Sequence, residues 1–128
     1  MVNGRRKMEK AHKNLKVWQK AIELVKMIYL ETNKLPQEER YGLTQQMRRA
    51  VVSIPSNIAE GAARKGAKEA IQYFIISRGS ISELDTQITI CKKLNYFDSS
   101  TISRLTSALE GVDSLLSGLT RYRSKNDL

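Results

Sequence analysis

Ile102, Leu105, Leu109, Val112, Leu116 and Leu119 follow one another at alternating steps of three and four. A strand needs steps of two, so this seven-residue repeat commits the segment to a helix with one apolar seam. Such a seam is stable in water only against partner helices. The rest of the chain supplies three. Val17, Ala21, Leu24, Val25, Ile28 and Leu35 predict a helix over 17–34, and Leu43, Met47, Ala50, Val51, Ile54 and Ile58 predict another from Tyr41 to about Gly61. Ile71, Phe74, Ile75, Ile81, Leu84, Ile88, Cys91 and Leu94 predict a third over 67–94. The fourth, capped by Ser99 or Ser100, runs to about Arg123. The expected fold is all-α, an antiparallel up-and-down four-helix bundle.

Punctuation residues refine this outline. Pro36 closes the first helix by disfavouring the α conformation at Leu35. Pro55 falls inside the second, where an unbroken helix loses roughly 3 kcal/mol to a proline. The apolar phase continues to Ile58, so the expectation is a kink and not a stop. Gly61 is expected to end that helix in the left-handed conformation. Gly79 lies within Ser77-Arg78-Gly79-Ser80, whose small side chains suit close approach of another helix. Asn95 and Asp98 mark the last turn. Residues 16–123 form the expected domain, flanked by a basic arm over 1–15 and a short polar tail over 124–128, both expected to be disordered.

A chain of 128 residues suits one domain. Cys91 is the only cysteine, which rules out an internal disulfide and fits a small core residue in a reducing, cytoplasmic setting. No signal-peptide pattern and no apolar run long enough to span a bilayer is visible, so no membrane contact is expected. The net charge is +9. Residues 1–20 concentrate it, with seven basic residues against Glu9 alone. Such an arm suits a polyanion, or it serves solubility only.

Catalytic chemistry finds little support. His12 is the only histidine and sits in the arm. There is no His/Cys cluster for zinc, and Gly61 to Gly66 lacks the lysine and hydroxyl of a phosphate loop. The expectation is a protein that is not an enzyme and holds no cofactor or metal. Glu60 and Glu83 are expected to hold Arg or Asn partners across helix contacts. The candidate nucleic-acid-binding residues are Arg48 and Arg49, with Arg64, Lys65 and Lys68 ahead of or within the start of the third helix, where helix N-termini favour anions. No aromatic is interleaved with these basics along the chain, so backbone contacts are expected and a stacking platform is not.

Several stretches together resemble a bacterial family. They are Leu15-Lys16-Val17-Trp18-Gln19-Lys20-Ala21, Tyr41-Gly42-Leu43-Thr44-Gln45-Gln46-Met47-Arg48-Arg49-Ala50 and, most specific, Ser53-Ile54-Pro55-Ser56-Asn57-Ile58-Ala59-Glu60-Gly61. Gly79-Ser80 and Glu83-Leu84 complete the set. The chain resembles, over about residues 15–120, the four-helix-bundle proteins encoded by intervening sequences in 23S ribosomal RNA genes. Ser77 replaces an expected small apolar residue, and the Arg5-Arg6-Lys7 arm lies outside the pattern. The resemblance does not imply membership of the ribosome. It implies kinship with the accessory protein of diversity-generating retroelements, a barrel-shaped homopentamer that binds nucleic acid and a reverse transcriptase. A pentameric homo-oligomer, a nucleic-acid partner and a protein partner such as a reverse transcriptase are therefore expectations. Ser53, Asn57, Glu60, Gly79, Ser80 and Glu83 form a line of small and hydrogen-bonding residues beyond the core seam, the candidate oligomer interface. Scaffold and polymerase-accessory roles stand beside nucleic-acid binding as alternatives.

Overall fold

The computed structural model describes residues 12–126 and is all-α over them, with no strand. Four long helices are present: α1 (Lys16–Thr32), α2 (Leu43–Ala62), α3 (Ala67–Lys93) and α4 (Ser99–Lys125), with a short 3-10 turn at Gln37–Glu39. α1 packs on α2, α2 on α3, α3 on α4 and α4 on α1, and no diagonal pair brings its Cα atoms within 8 Å. That closed square is a four-helix bundle around one aliphatic core. Leu24, Ile28, Met47, Ile54, Ile58, Phe74, Leu84, Ile88, Leu105 and Leu116 are fully buried in it. Cys91 is buried there too, its Sγ 3.7 Å from Met47 Sδ, and burial pushes its thiol up to about 11. Of the expected arm, residues 1–11 lie outside the described residues. His12 to Leu15 turn back on α1, with the His12 and Trp18 rings 4.8 Å apart and Gln19 Nε2 donating to Lys13 O.

α2 passes through Pro55 without interruption. Gly61 does not end it in the left-handed region, since no described glycine has positive φ. Gly61 is buried inside the helix, and a Cβ there would lie 2.5 Å from Phe74 Cε1 and 2.9 Å from Ala70 O. Its lack of a side chain lets α3 seat Phe74 against α2. The left-handed residue is Asn95, at φ 60°. Tyr96 N donates to Cys91 O and Asn95 N to Lys92 O, the pattern that closes a helix around a left-handed cap. At α4 the cap is Asp98 and neither serine, its carboxylate accepting from Thr101 N at 2.8 Å.

α3 departs most from the periodic reading. Ile75 and Leu94 are exposed, while Ser77, Ser80 and Gln87 are buried. Ser77 is accommodated because its hydroxyl donates to Ile54 O across the α2–α3 contact. Gly79 faces open space within the subunit, with no atom within 4 Å of an added Cβ. The close approach expected at Gly79 occurs instead at Gly61.

Polar side chains fasten the helix ends. Arg123 is buried and donates to the carbonyls of Arg64 and Lys65, tying α4 to the α2–α3 turn. Glu39 accepts from Leu43 N at the start of α2 and from the Tyr96 hydroxyl after α3. Glu31 is buried on α1 and accepts from Arg104 of α4 at 2.9 Å and from Lys34 at 3.2 Å. Burial acts to raise its carboxyl, but these two cations outweigh it and hold Glu31 below the ordinary carboxylate range. Because the folded value lies below the unfolded one, the unfolded chain binds the proton more readily in acid. The Glu31 contribution is therefore present above the unfolded carboxylate pKa and lost as pH falls through the folded one. Urea midpoints measured from pH 6 down to pH 3 are expected to fall less for Glu31→Gln than for the wild type. Equal acid slopes would show that Glu31 is not a source of the acid sensitivity.

Candidate nucleic-acid interface

The five basic residues named from the sequence do not form one cluster. Arg48 and Arg49 sit in the first half of α2, while Arg64, Lys65 and Lys68 surround its far end. The two groups are about 24 Å apart at 1.5 Å per helical residue.

At the far end, Arg64 already has partners. It pairs with Glu60 at 3.0 Å and Glu69 at 2.9 Å, donates to the Tyr73 hydroxyl at 2.8 Å, and lies over the Tyr73 ring. Two carboxylates beside one guanidinium leave little positive field there, although Lys65 and Lys68 are exposed. Gly66, the residue before α3, offers no side-chain cap. Glu60 thus has its arginine partner at the end of its own helix and not across a helix contact.

The near end differs. The 33–42 link folds the start of α2 back onto the end of α1, and a shallow groove opens between them. Tyr29, Arg40, Tyr41, Thr44, Gln45, Arg48, Arg49, Val52 and Ser53 line it: three arginines and no carboxylate. Arg48 forms its floor. Its Nε donates to Thr32 Oγ1 at 3.0 Å and its Nη2 to Asn33 Oδ1 at 2.8 Å and Tyr29 O at 3.3 Å. Its guanidinium lies 4.6 Å over the Tyr29 ring. Arg48 therefore secures the C-terminal end of α1, whose carbonyls need donors. Arg49 is exposed, and Arg40 lies 5.6 Å over the ring of Tyr41. Aromatics do accompany the basic residues, contrary to the chain-order reading. Arg40 and Tyr41 are consecutive in the chain, and the α1–α2 turn brings Tyr29 and the start of α2 beside them. The shortness of that link was the available signal, because it forces the end of α1 beside the start of α2.

The remaining candidates lie along the α2–α3 contact. Ser53 and Ser80 hydroxyls are 2.8 Å apart, and Asn57 Nδ2 donates to both Ser53 O and Ser53 Oγ. Glu83 accepts from Gln87 Nε2 at 3.4 Å, a bond within α3. Arg49 also lines a notch with Gln46, Ala50, Ser53, Ser80 and Glu83. Gly79 lies on the outer side of α3 next to exposed Ile75 and Ile76.

Among the described residues no group of three or more His, Cys, Asp or Glu side chains could hold a metal ion. No helix among them is long and apolar enough to cross a membrane. No curated protein matches the chain at a significant level. A family model described as 23S rRNA-intervening sequence protein matches residues 13–118, which takes in α1 to α3 and most of α4. The chain belongs to the 23S rRNA-intervening sequence protein family.

Proposed function

We propose that the protein is a non-enzymatic, cytoplasmic, nucleic-acid-binding bundle that works as a ring of identical subunits. The groove carrying three arginines and no carboxylate supports this reading most directly. A polyanion is the partner such a surface suits, and the sequence-independent phosphate backbone is the natural contact for guanidinium groups. The arrangement proposed is antiparallel and up-and-down. In support, the contacts Met47–Cys91, Ser53–Ser80, Ile54–Ser77 and Gly61–Phe74 rise along α2 as they fall along α3. A bend of α2 at Pro55 belongs to the same proposal. Ser56, Asn57 and Ser77 donate to the carbonyls of Val52, Ser53 and Ile54, acceptors of the kind that a proline bend loosens.

The ring needs a second contact surface. Ile75 and Ile76 are 59% and 51% exposed, and Gly79 beside them is open to a neighbour. This supports a subunit contact on the outer side of α3, continuous with Ser80 and Glu83. Light scattering at micromolar concentration is expected to give a multiple of the 14.6 kDa chain mass. Gly79→Leu is expected to reduce that to one subunit while leaving the helical circular-dichroism signal intact. A monomer mass for the wild type across that range rules the ring out. The exposed isoleucines favour one rival, a scaffold that binds another protein. Fluorescence anisotropy with labelled RNA and DNA oligonucleotides at low salt separates the two. Absence of binding to either leaves the scaffold reading.

A further inference from the structure

The α1–α2 groove holds more than charge. Tyr41 is 80% exposed, the most exposed of the large hydrophobic residues in the described chain. It is not buried by packing, and Arg40 lies along its ring at 5.6 Å. Tyr29, partly exposed, carries Arg48 on its ring at 4.6 Å. An open ring face flanked by guanidinium groups suits a base and its phosphates. We infer that this groove takes single-stranded nucleic acid, with a base stacked on Tyr41 and the flanking phosphates held by Arg40 and Arg49.

A duplex is a poorer occupant, because its bases are already stacked and present no free face to Tyr41. An acidic peptide could meet the arginines, but its carboxylates would leave the Tyr41 ring face unused. Glu39, beside Arg40 in the chain, is turned away to Leu43 N and the Tyr96 hydroxyl, and Glu83 lines only the adjoining notch that Arg49 shares on the α3 side. Arg48 contributes by position. Its bonds to Thr32, Asn33 and Tyr29 keep the end of α1 beside the start of α2, which holds the groove's two walls together.

The inference rests on the nucleic-acid reading above, and the test separates the two. Full-length protein is titrated at low salt against a labelled 12-mer of thymidine, an abasic 12-mer with the same phosphates, and a polyglutamate peptide of matched charge. The thymidine strand is expected to bind about tenfold more tightly than the abasic strand, from one stacked base. Tyr41→Ala is expected to abolish that preference by weakening thymidine binding about tenfold, while Tyr41→Phe retains it. Arg40→Ala/Arg49→Ala should weaken both strands alike. Tyr41 is so exposed that its replacement leaves the fold intact, and circular dichroism checks this. Equal binding of thymidine and abasic strands, with Tyr41→Ala silent, overturns the stacking site and leaves backbone binding standing. Polyglutamate binding as tightly as either strand overturns it in favour of an acidic protein partner. No binding by any strand at low salt removes the nucleic-acid reading and this inference together.

Discussion

Gly61→Leu is expected to destabilise the bundle by about 3 kcal/mol or more, the upper end of what overpacking costs. Even a Cβ at this position would meet Phe74 Cε1 at 2.5 Å on one side and the backbone carbonyl of Ala70 at 2.9 Å on the other. The ring could shift, but the carbonyl belongs to α3 itself and moves only with the helix. Truncating from the other side, Phe74→Ala is expected to cost about 3–5 kcal/mol, since it empties a fully buried aromatic site. The two positions share one contact, so their effects should not add. Gly61→Ala/Phe74→Leu is expected to be milder than the sum of its parts, with the clash against Ala70 O remaining. Gly79 provides the control. It has the same residue type in a helix interior, with nothing within 4 Å. Gly79→Ala is expected to stabilise the single subunit by roughly 0.5–1 kcal/mol through helix propensity alone. Urea midpoints for the variants give the comparison. Similar behaviour of Gly61→Ala and Gly79→Ala would show that the α2–α3 approach is looser than described.

The second large effect is the response of nucleic-acid binding to salt. On single strands each neutralised phosphate contributes about −0.7 to the log–log slope. If Arg40 and Arg49 each meet one phosphate, the slope from the groove is about −1.4, and affinity falls roughly sevenfold between 50 and 200 mM salt. The basic residues of the N-terminal arm are expected to add to this. Deleting residues 1–14 removes Arg5, Arg6, Lys7, Lys10 and Lys13 and is expected to make the slope shallower while preserving part of the affinity. In that truncated protein Arg40→Ala/Arg49→Ala should remove most of what remains. Arg64→Ala/Lys65→Ala should do less, because Glu60 and Glu69 already balance Arg64. In a ring, several grooves would engage one strand, and a dissociated variant should bind far more weakly than the assembly. A truncated protein whose affinity ignores the groove arginines would assign binding to the arm alone.

The helices were legible because their apolar residues recur at helical steps. Leu105, Leu109, Val112 and Leu116 lie in the core as the seven-residue repeat of α4 requires. The same rule failed on α3, where Ile75 lies outside and Ser77 inside. Periodicity counts apolar side chains, but Ser77 is buried by a hydrogen bond to Ile54 O that no local pattern encodes. Gly61 escapes the local pattern for a related reason. Glycine near a helix end suggests a left-handed cap, whereas here the demand comes from Phe74, thirteen residues later in another helix. The candidate site was legible only in part. Arg48 and Arg49 could be named from the chain, but Tyr29, Arg40 and Tyr41 join them through the turn between helices. Pairing of Arg64 with Glu69 likewise depends on how the 63–66 turn folds.

Cys91 makes the protein its own stability probe. The thiol is fully buried against Met47, and its value near 11 leaves about one molecule in a thousand as thiolate at pH 8. A freed chain would carry it at about 8.5, where a sizeable fraction is reactive. A thiol reagent can therefore reach Cys91 only when α3 lifts from its neighbours, and with no other cysteine in the chain every label reports an opening at this one place. Where reclosing outpaces labelling, rates of modification in native buffer would report the free energy of that opening without denaturant.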